Sequence, residues 1–376
     1  MATWRRITGV AGVAAGAVAA GAGAIAAAER IAIGRAQTLR RSTPPERLGG
    51  LRGRPLTVLA DDGVPLHVEL DEPGPGQGQP RQGGRTAPLT VIFCHGYTLN
   101  QDVWYFQRQG VRGHRLVFWD QRDHGRSGRS PDGAASIGRL GADLGLIIKA
   151  VAPGDMPVIL VGHSMGGMTI MALAGQHPER FGTKVAGAVL ISTAASGLDG
   201  GSPWMPGPAR PVLRRALPVV LRGAATGYRA VLVEHGRRVA SDLSWLGTRF
   251  IGFGNPGVNP AVVDFLEEMI RSTPIEVVAA FGQALYVCDL RATLPTVGKV
   301  PVVVMTGDRD RLIPPELGRD LAEQIPGAEL VWVPGAGHAL ILENPEVVND
   351  TITGLIARVS ASRASRAGRG ARERSA

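Results

Sequence analysis

Cysteine is almost absent: Cys94 and Cys288 are the only two in 376 residues. A disulfide framework is therefore not expected, and two thiols alone leave the redox compartment open. Charge is also scarce, at 19% of residues against 44% apolar, which is the balance of a globular chain and not of a disordered one. There is no internal repeat. Basic charge, finally, is missing from the middle. Residues 1–54 hold nine Arg against two Glu, and residues 358–376 hold six Arg against one Glu. With a net charge of +9, the part between them carries −3. No nucleic-acid partner is expected for such a body, and any attraction to anionic surfaces belongs to the flanks.

The N-terminal flank, residues 1–54, has a second property. Between Arg6 and Glu29 lie 22 uncharged residues, long enough to cross a bilayer as a helix at ~1.5 Å rise per residue, with Gly12 and Gly16 forming a G-x-x-x-G face. The stretch is mostly Ala and Gly with only five Val or Ile, a marginal composition for insertion. Its readings are an uncleaved membrane anchor, a cleavable export signal and a surface-lying helix. The anchor or signal is the expectation, followed by a basic linker. The C-terminal flank, residues 358–376, lacks apolar periodicity and is expected to be disordered.

Between the flanks, Leu56 to Leu70 reads as a hairpin turning at Asp62-Gly63, and residues 71–88 as a Pro/Gly/Gln-rich loop. Six short apolar runs then alternate with helical segments: Leu89–Cys94, Leu116–Trp119, Val158–Val161, Val185–Ile191, Val300–Met305 and Leu330–Val333. Continuous apolar strands between helices predict an α/β fold, with a mostly parallel, eight-strand-like sheet covered on both faces. The core is assigned to residues 55–196 and 291–357. About a hundred strandless residues separate the fourth and fifth runs, and within them residues 197–290 read as an inserted helical cap.

The run V-I-L-V-G-H-S-M-G-G sets Gly162-His163-Ser164-Met165-Gly166 between a buried strand and a helix. A Ser at so tight a strand-to-helix turn needs residues without bulk two before and two after it, and both are Gly. The turn exposes the Ser164 hydroxyl as a nucleophile. The helix N-terminus behind it lets the Met165 amide face a developing oxyanion.

With that elbow, the sequence resembles the α/β-hydrolase superfamily of serine esterases and lipases, with monoacylglycerol lipase and haloperoxidase-like relatives. Its chain order of Ser, acid, His holds here: Thr306-Gly307-Asp308-Arg309-Asp310 follows one strand and Pro334-Gly335-Ala336-Gly337-His338 the next. The resemblance implies His338 as base and, through the pattern G-x-x-D, Asp310 as the acid in preference to Asp308, which is expected to pair with a nearby Arg. It assigns a second oxyanion amide to Tyr97, after His95-Gly96. His95 and His163 are expected to be structural. The loop Asp120 to Gly128 fits D-x-R-G-x-G-x-S except that Asp123 replaces a Gly, a position where Asp tolerates a left-handed backbone.

The implied reaction is acyl transfer through Ser164, with no cofactor and no metal, on a small-molecule, apolar and lipophilic carboxylic ester. Eight cap residues, Trp204, Met205, Trp245, Phe250, Phe253, Phe265, Met269 and Phe281, are candidates to line an acyl pocket, although most are expected in the cap's own core. The same triad serves haloperoxidases, perhydrolases, thioesterases and C–C bond hydrolases, and non-catalytic modules share the scaffold. The sequence leaves these alternatives and the oligomeric state open.

Overall fold

The computed structural model describes residues 48–73, 89–131, 133, 135–196 and 241–373. The N-terminal apolar segment, most of the loop at 71–88, and the first part of the cap with Trp204 and Met205 lie outside the described residues.

Eight strands form one sheet: β1 (Arg54–Leu59), β2 (Pro65–Asp71), β3 (Thr90–Cys94), β4 (Arg115–Trp119), β5 (Val158–His163), β6 (Val185–Ile191), β7 (Val302–Gly307) and β8 (Glu329–Val333). Their order is β1-β2-β4-β3-β5-β6-β7-β8. β1 and β2 form the antiparallel hairpin, with Gly63 at φ 82 in its turn, β2 pairs antiparallel with β4, and every other pairing is parallel. The expected mixed, mostly parallel sheet is present, with strand ends shifted by one or two residues.

Alternation along the buried strands divides the core. Ile92, Val117, Leu160 and Val304 face one apolar cluster, while Phe93, Phe118, Val161 and Met305 face the other. Among the described residues the helices are α1 (Tyr105–Gly110), α2 (Ile137–Val151), α3 (Met165–Gln176), α4 (Ser241–Gly252), α5 (Pro260–Ser272), α6 (Ile275–Tyr286), α7 (Leu294–Val297), α8 (Pro315–Gln324), α9 (Leu340–Glu343) and α10 (Pro345–Glu373). α2 and α3 fill the first cluster through Leu140, Leu144, Met168 and Met171, and α10 fills the second through Val348, Ile352 and Leu355. Because helices cover both faces, the strands have no polar side to alternate, which is why they read as unbroken apolar runs.

Within the tail, residues 358–373 differ from expectation, since α10 continues to Glu373. Ala and Arg are strong helix formers, so this segment extends an existing helix without an apolar stripe to bury. Among the described residues no single helix is long and apolar enough to cross a membrane.

The loop after β4 ties the sheet's antiparallel edge to the core. Arg122 makes a two-pronged pair with Asp143 of α2, at 2.6 and 2.7 Å, and reaches Asp62 in the hairpin turn at 2.7 Å. Asp123 takes the left-handed backbone expected of it, at φ 67, and its carboxylate accepts from the Ser130 amide and hydroxyl at 2.7 Å each. Arg122 and Asp143 are 3% and 1% exposed, so Asp143→Ala strands a buried guanidinium with only Asp62. The expected loss is about 3 kcal/mol, read as a lower urea midpoint at unchanged m-value.

Candidate active site

The elbow follows from crowding. Ser164 directly follows β5 with φ 53 and ψ −119, a backbone region costly for any residue with a Cβ. Its amide donates to Ile191 O at 2.9 Å, and its carbonyl accepts from the Gly167 amide at 2.9 Å and the Thr193 hydroxyl at 2.7 Å. A Cβ on Gly162 would stand 2.6 Å from the Gly166 carbonyl carbon, and one on Gly166 would stand 2.0 Å from the Cys94 carbonyl oxygen. Both glycines are thus demanded by backbone meeting backbone, as the sequence pattern implied. α3 opens directly after Ser164, with Met165 as its first residue.

The loops after β7 and β8 bring the other two residues together. His338 Nδ1 donates to Asp310 Oδ2 at 2.8 Å. Asp310 Oδ1 accepts from the amides of Leu312 and Ile313, each at 2.8 Å, so the carboxylate is fixed from both sides. With the proton on Nδ1, His338 Nε2 carries a lone pair and can accept from a hydroxyl. Ser164 and His338 are both 8% exposed and line the same cavity, while Asp310 is 4% exposed behind the imidazole. Asp308 is not paired with Arg as expected: Oδ1 accepts from the Gly335 amide at 2.6 Å, so this carboxylate braces the histidine loop from beneath.

Glu343 gave no signal in the sequence. It takes the Gly337 amide at 2.7 Å and the Gly254 amide at 3.1 Å on Oε2, and the Asn255 amide on Oε1, clamping the histidine loop to the helical insert. A lone carboxylate in a short helix has no pattern that would reveal this.

Three neighbouring histidines are each bonded to the backbone. His163 Nε2 donates to the His338 carbonyl at 2.9 Å, His95 Nε2 accepts from the Gln121 amide at 2.9 Å, and His124 Nδ1 donates to Arg122 O at 2.9 Å. Burial pushes their pKa values down to about 4 for His95 and about 3 for His124 and His163. In the unfolded chain each titrates near ~6.5, so unfolding takes up protons below that pH and stability falls as pH drops from about 6.5 towards 4. Each contributes up to about 1.4 kcal/mol per pH unit across that window. Denaturant midpoints measured from pH 7.5 to 4.5 should fall steeply below about pH 6, and His124→Gln should remove about one proton from the uptake. An unchanged slope in that variant would contradict neutral burial.

The cavity measures about 430 Å³, within the usual range for small-molecule sites. No Asp, Glu, Lys or Arg lines it. Its walls include Gly96, Tyr97, Thr98 and Leu99 from the loop after β3, Ser244, Gly247, Thr248 and Ile251 from α4, Leu266 and Ile270 from α5, and Val278 from α6. The loop is pinned to the insert: Tyr97 OH donates to Val278 O, and the Thr273 hydroxyl donates to Thr98 O at 2.9 Å. None of the described aromatic candidates lines the cavity. Trp245, Phe253, Met269 and Phe281 are buried in the core instead, Phe265 is partly buried against it, and Phe250 is exposed.

Residues 91–351 match the alpha/beta hydrolase family. The chain belongs to that family. Among curated proteins it is similar to a non-heme haloperoxidase of Rhodococcus erythropolis, 27% identical over 276 residues that cover 71% of this chain and 91% of the relative. It is also similar to a bifunctional esterase/perhydrolase of Acinetobacter calcoaceticus, 25% identical over 287 residues, covering 73% and 93%. Among solved structures, a thermophilic esterase from Thermogutta terrifontis superposes with a TM-score of 0.58 at 24% identity, over 81% of this chain and 99% of that one. The protein is an esterase-like α/β hydrolase with distant relatives, and among its described residues no group of three or more His, Cys, Asp or Glu is placed to hold a metal ion.

Proposed function

We propose that this α/β hydrolase cleaves a lipophilic, uncharged carboxylic ester through an acyl-enzyme, with Ser164 as nucleophile, His338 as base and Asp310 as the acid that orients it. One observation carries the reading: a serine at positive φ opens into the same uncharged cavity as a histidine whose far nitrogen is bonded to a buried carboxylate. His338 Nε2 takes the Ser164 proton as the hydroxyl oxygen bonds to the ester carbonyl carbon, and the amides of Met165 and Tyr97 hold the oxyanion. The imidazolium then protonates the departing alcohol. Water, deprotonated by the same nitrogen, attacks the acyl-enzyme and releases the acid.

The apolar walls support a lipophilic substrate, since a charged group there would lose its hydration without a partner. A lipid-like ester, such as a monoacylglycerol, fits this description. Purified protein should react with an organophosphonate probe at Ser164 and turn over nitrophenyl butanoate or octanoate faster than acetate. Labelling at another residue, or a preference for acetate, would count against the reading.

A second reading has its own support in the haloperoxidase and perhydrolase relatives. Perhydrolysis differs only in the acceptor: hydrogen peroxide replaces water at the acyl-enzyme and yields a peracid. Peroxide-dependent bromination in acetate buffer, exceeding ester hydrolysis in rate, would favour it.

A further inference from the structure

α4 turns one face to the cavity, and that face is nearly bare. Ser244, Gly247, Thr248, Ile251 and Gly252 recur at helical spacing and line it, while Trp245 on another face is fully buried. Gly247 lies inside the helix, where glycine is the poorest residue short of proline because it forfeits backbone entropy and offers no contact. Such a glycine usually has a local reason, and among the described residues Gly247 has none. It is absent from the positive-φ residues, so the backbone does not require it. Packing against the described residues does not require it either: a Cβ placed there meets none of their atoms within 4 Å. The contrast with other glycines of the insert and its neighbours is sharp. A Cβ on Gly252 would press on Leu266 Cδ2 at 3.2 Å, and those on Gly254 and Gly337 would collide with backbone at 2.4 Å.

What Gly247 borders is the cavity, across which lie apolar side chains and no charged group. We infer that Gly247 is a specificity-determining residue: the side chain it lacks is the room taken by an extended apolar arm of the substrate ester. The inference rests on the Ser164 hydrolase reading and adds to it the residue that admits long substrates. An arm lying along α4 gains by burying methylenes against Ile251, Leu266, Ile270 and Val278, and a larger residue at position 247 would occupy the same volume.

The experiment compares wild type, Gly247→Ala and Gly247→Leu on two ester series. One varies the acyl chain from acetate to dodecanoate on a nitrophenyl leaving group. The other varies the alkoxy chain on an acetyl group. The ratio of kcat/KM for the longest to the shortest member should fall about tenfold or more in Gly247→Leu, with a smaller fall in Gly247→Ala. The series in which this happens tells which arm lies against α4. Gly247→Ala should at the same time melt at a higher temperature than wild type, since it removes a helix penalty without meeting an obstacle. An unchanged ratio in both series, a proportional loss on all chain lengths, or a lower melting temperature for Gly247→Ala would overturn the inference. Ser164→Ala run in parallel separates the two levels. If it retains turnover, the hydrolase reading fails; if it is inactive while Gly247→Leu keeps the wild-type ratio, only the role of Gly247 fails.

Discussion

Ser164→Ala is expected to lower kcat for ester hydrolysis by about 10⁴-fold or more, and the double variant Ser164→Ala/His338→Ala to lose little beyond that. The lack of additivity follows from the geometry. His338 has one nitrogen committed to Asp310, and every proton its other nitrogen moves belongs to forming or breaking the Ser164 acyl-enzyme, so without that hydroxyl its role is lost. What survives in either variant is the rate due to binding and the oxyanion amides, which no side-chain deletion removes. Asp310→Asn should be milder than either, yet still costly. The amide can accept from His338 Nδ1–H through its oxygen, but it brings no charge to stabilise the imidazolium, and its amino group would face the Leu312 and Ile313 amides if the oxygen turned to the ring. Single-turnover kinetics on nitrophenyl butanoate, with intact mass to detect the acyl adduct, measure all three. Losses that multiply in the double variant would mean that Ser164 and His338 act in separate steps and would break the proposed mechanism.

Much of this was legible in the chain because the informative features are local and steric. Val158 to Val161 read as a buried strand since both its faces meet helices, and Gly162 and Gly166 read as an elbow since a strand-to-helix turn this tight leaves no room for a side chain at either place, Gly162 meeting the backbone of Gly166 and Gly166 that of Cys94. Asp310 was chosen over Asp308 on a family pattern, and the structure bonds it to His338. The partner of Asp308 was not legible, because the Gly335 amide that it accepts is brought in by β8 and belongs to no sequence pattern. The cavity wall was only half legible: the large cap residues are expected mostly in the cap's core, and four of them are buried, but nothing in the sequence points to the residues that line the cavity instead. Burial of large aromatic area stabilises the body, so Trp245, Phe253 and Phe281 turn inward while Phe250 stays exposed, and Ser244, Gly247 and Thr248 are left to line the cavity. A helix's small face is visible in sequence only once it is known which face is already taken.

Gly166→Ala tests how tightly that elbow is built and is expected to damage stability and catalysis together. The added methyl would lie 2.0 Å from the Cys94 carbonyl oxygen and 2.8 Å from that of His95, and neither backbone can rotate away as a side chain could. Relief requires α3 and the end of β3 to part by about 1 Å, and overpacking of this kind costs about 1–3 kcal/mol or more. The same parting shifts Ser164 and the Met165 amide on one side, and the loop carrying Tyr97 on the other. A misplacement of about 1 Å at a reacting centre can cost about 10²-fold in rate. Gly175→Ala, near the other end of α3, is the matched comparison. Its methyl would meet only Thr293 Cγ2 at 2.9 Å, a side-chain group able to yield, so this variant should stay within about 1 kcal/mol of wild type and keep its turnover. Urea midpoints and kcat for the pair decide the matter. Equal behaviour of the two would show that crowding against β3 is not what makes Gly166 indispensable, and the steric account of the elbow would have to be given up.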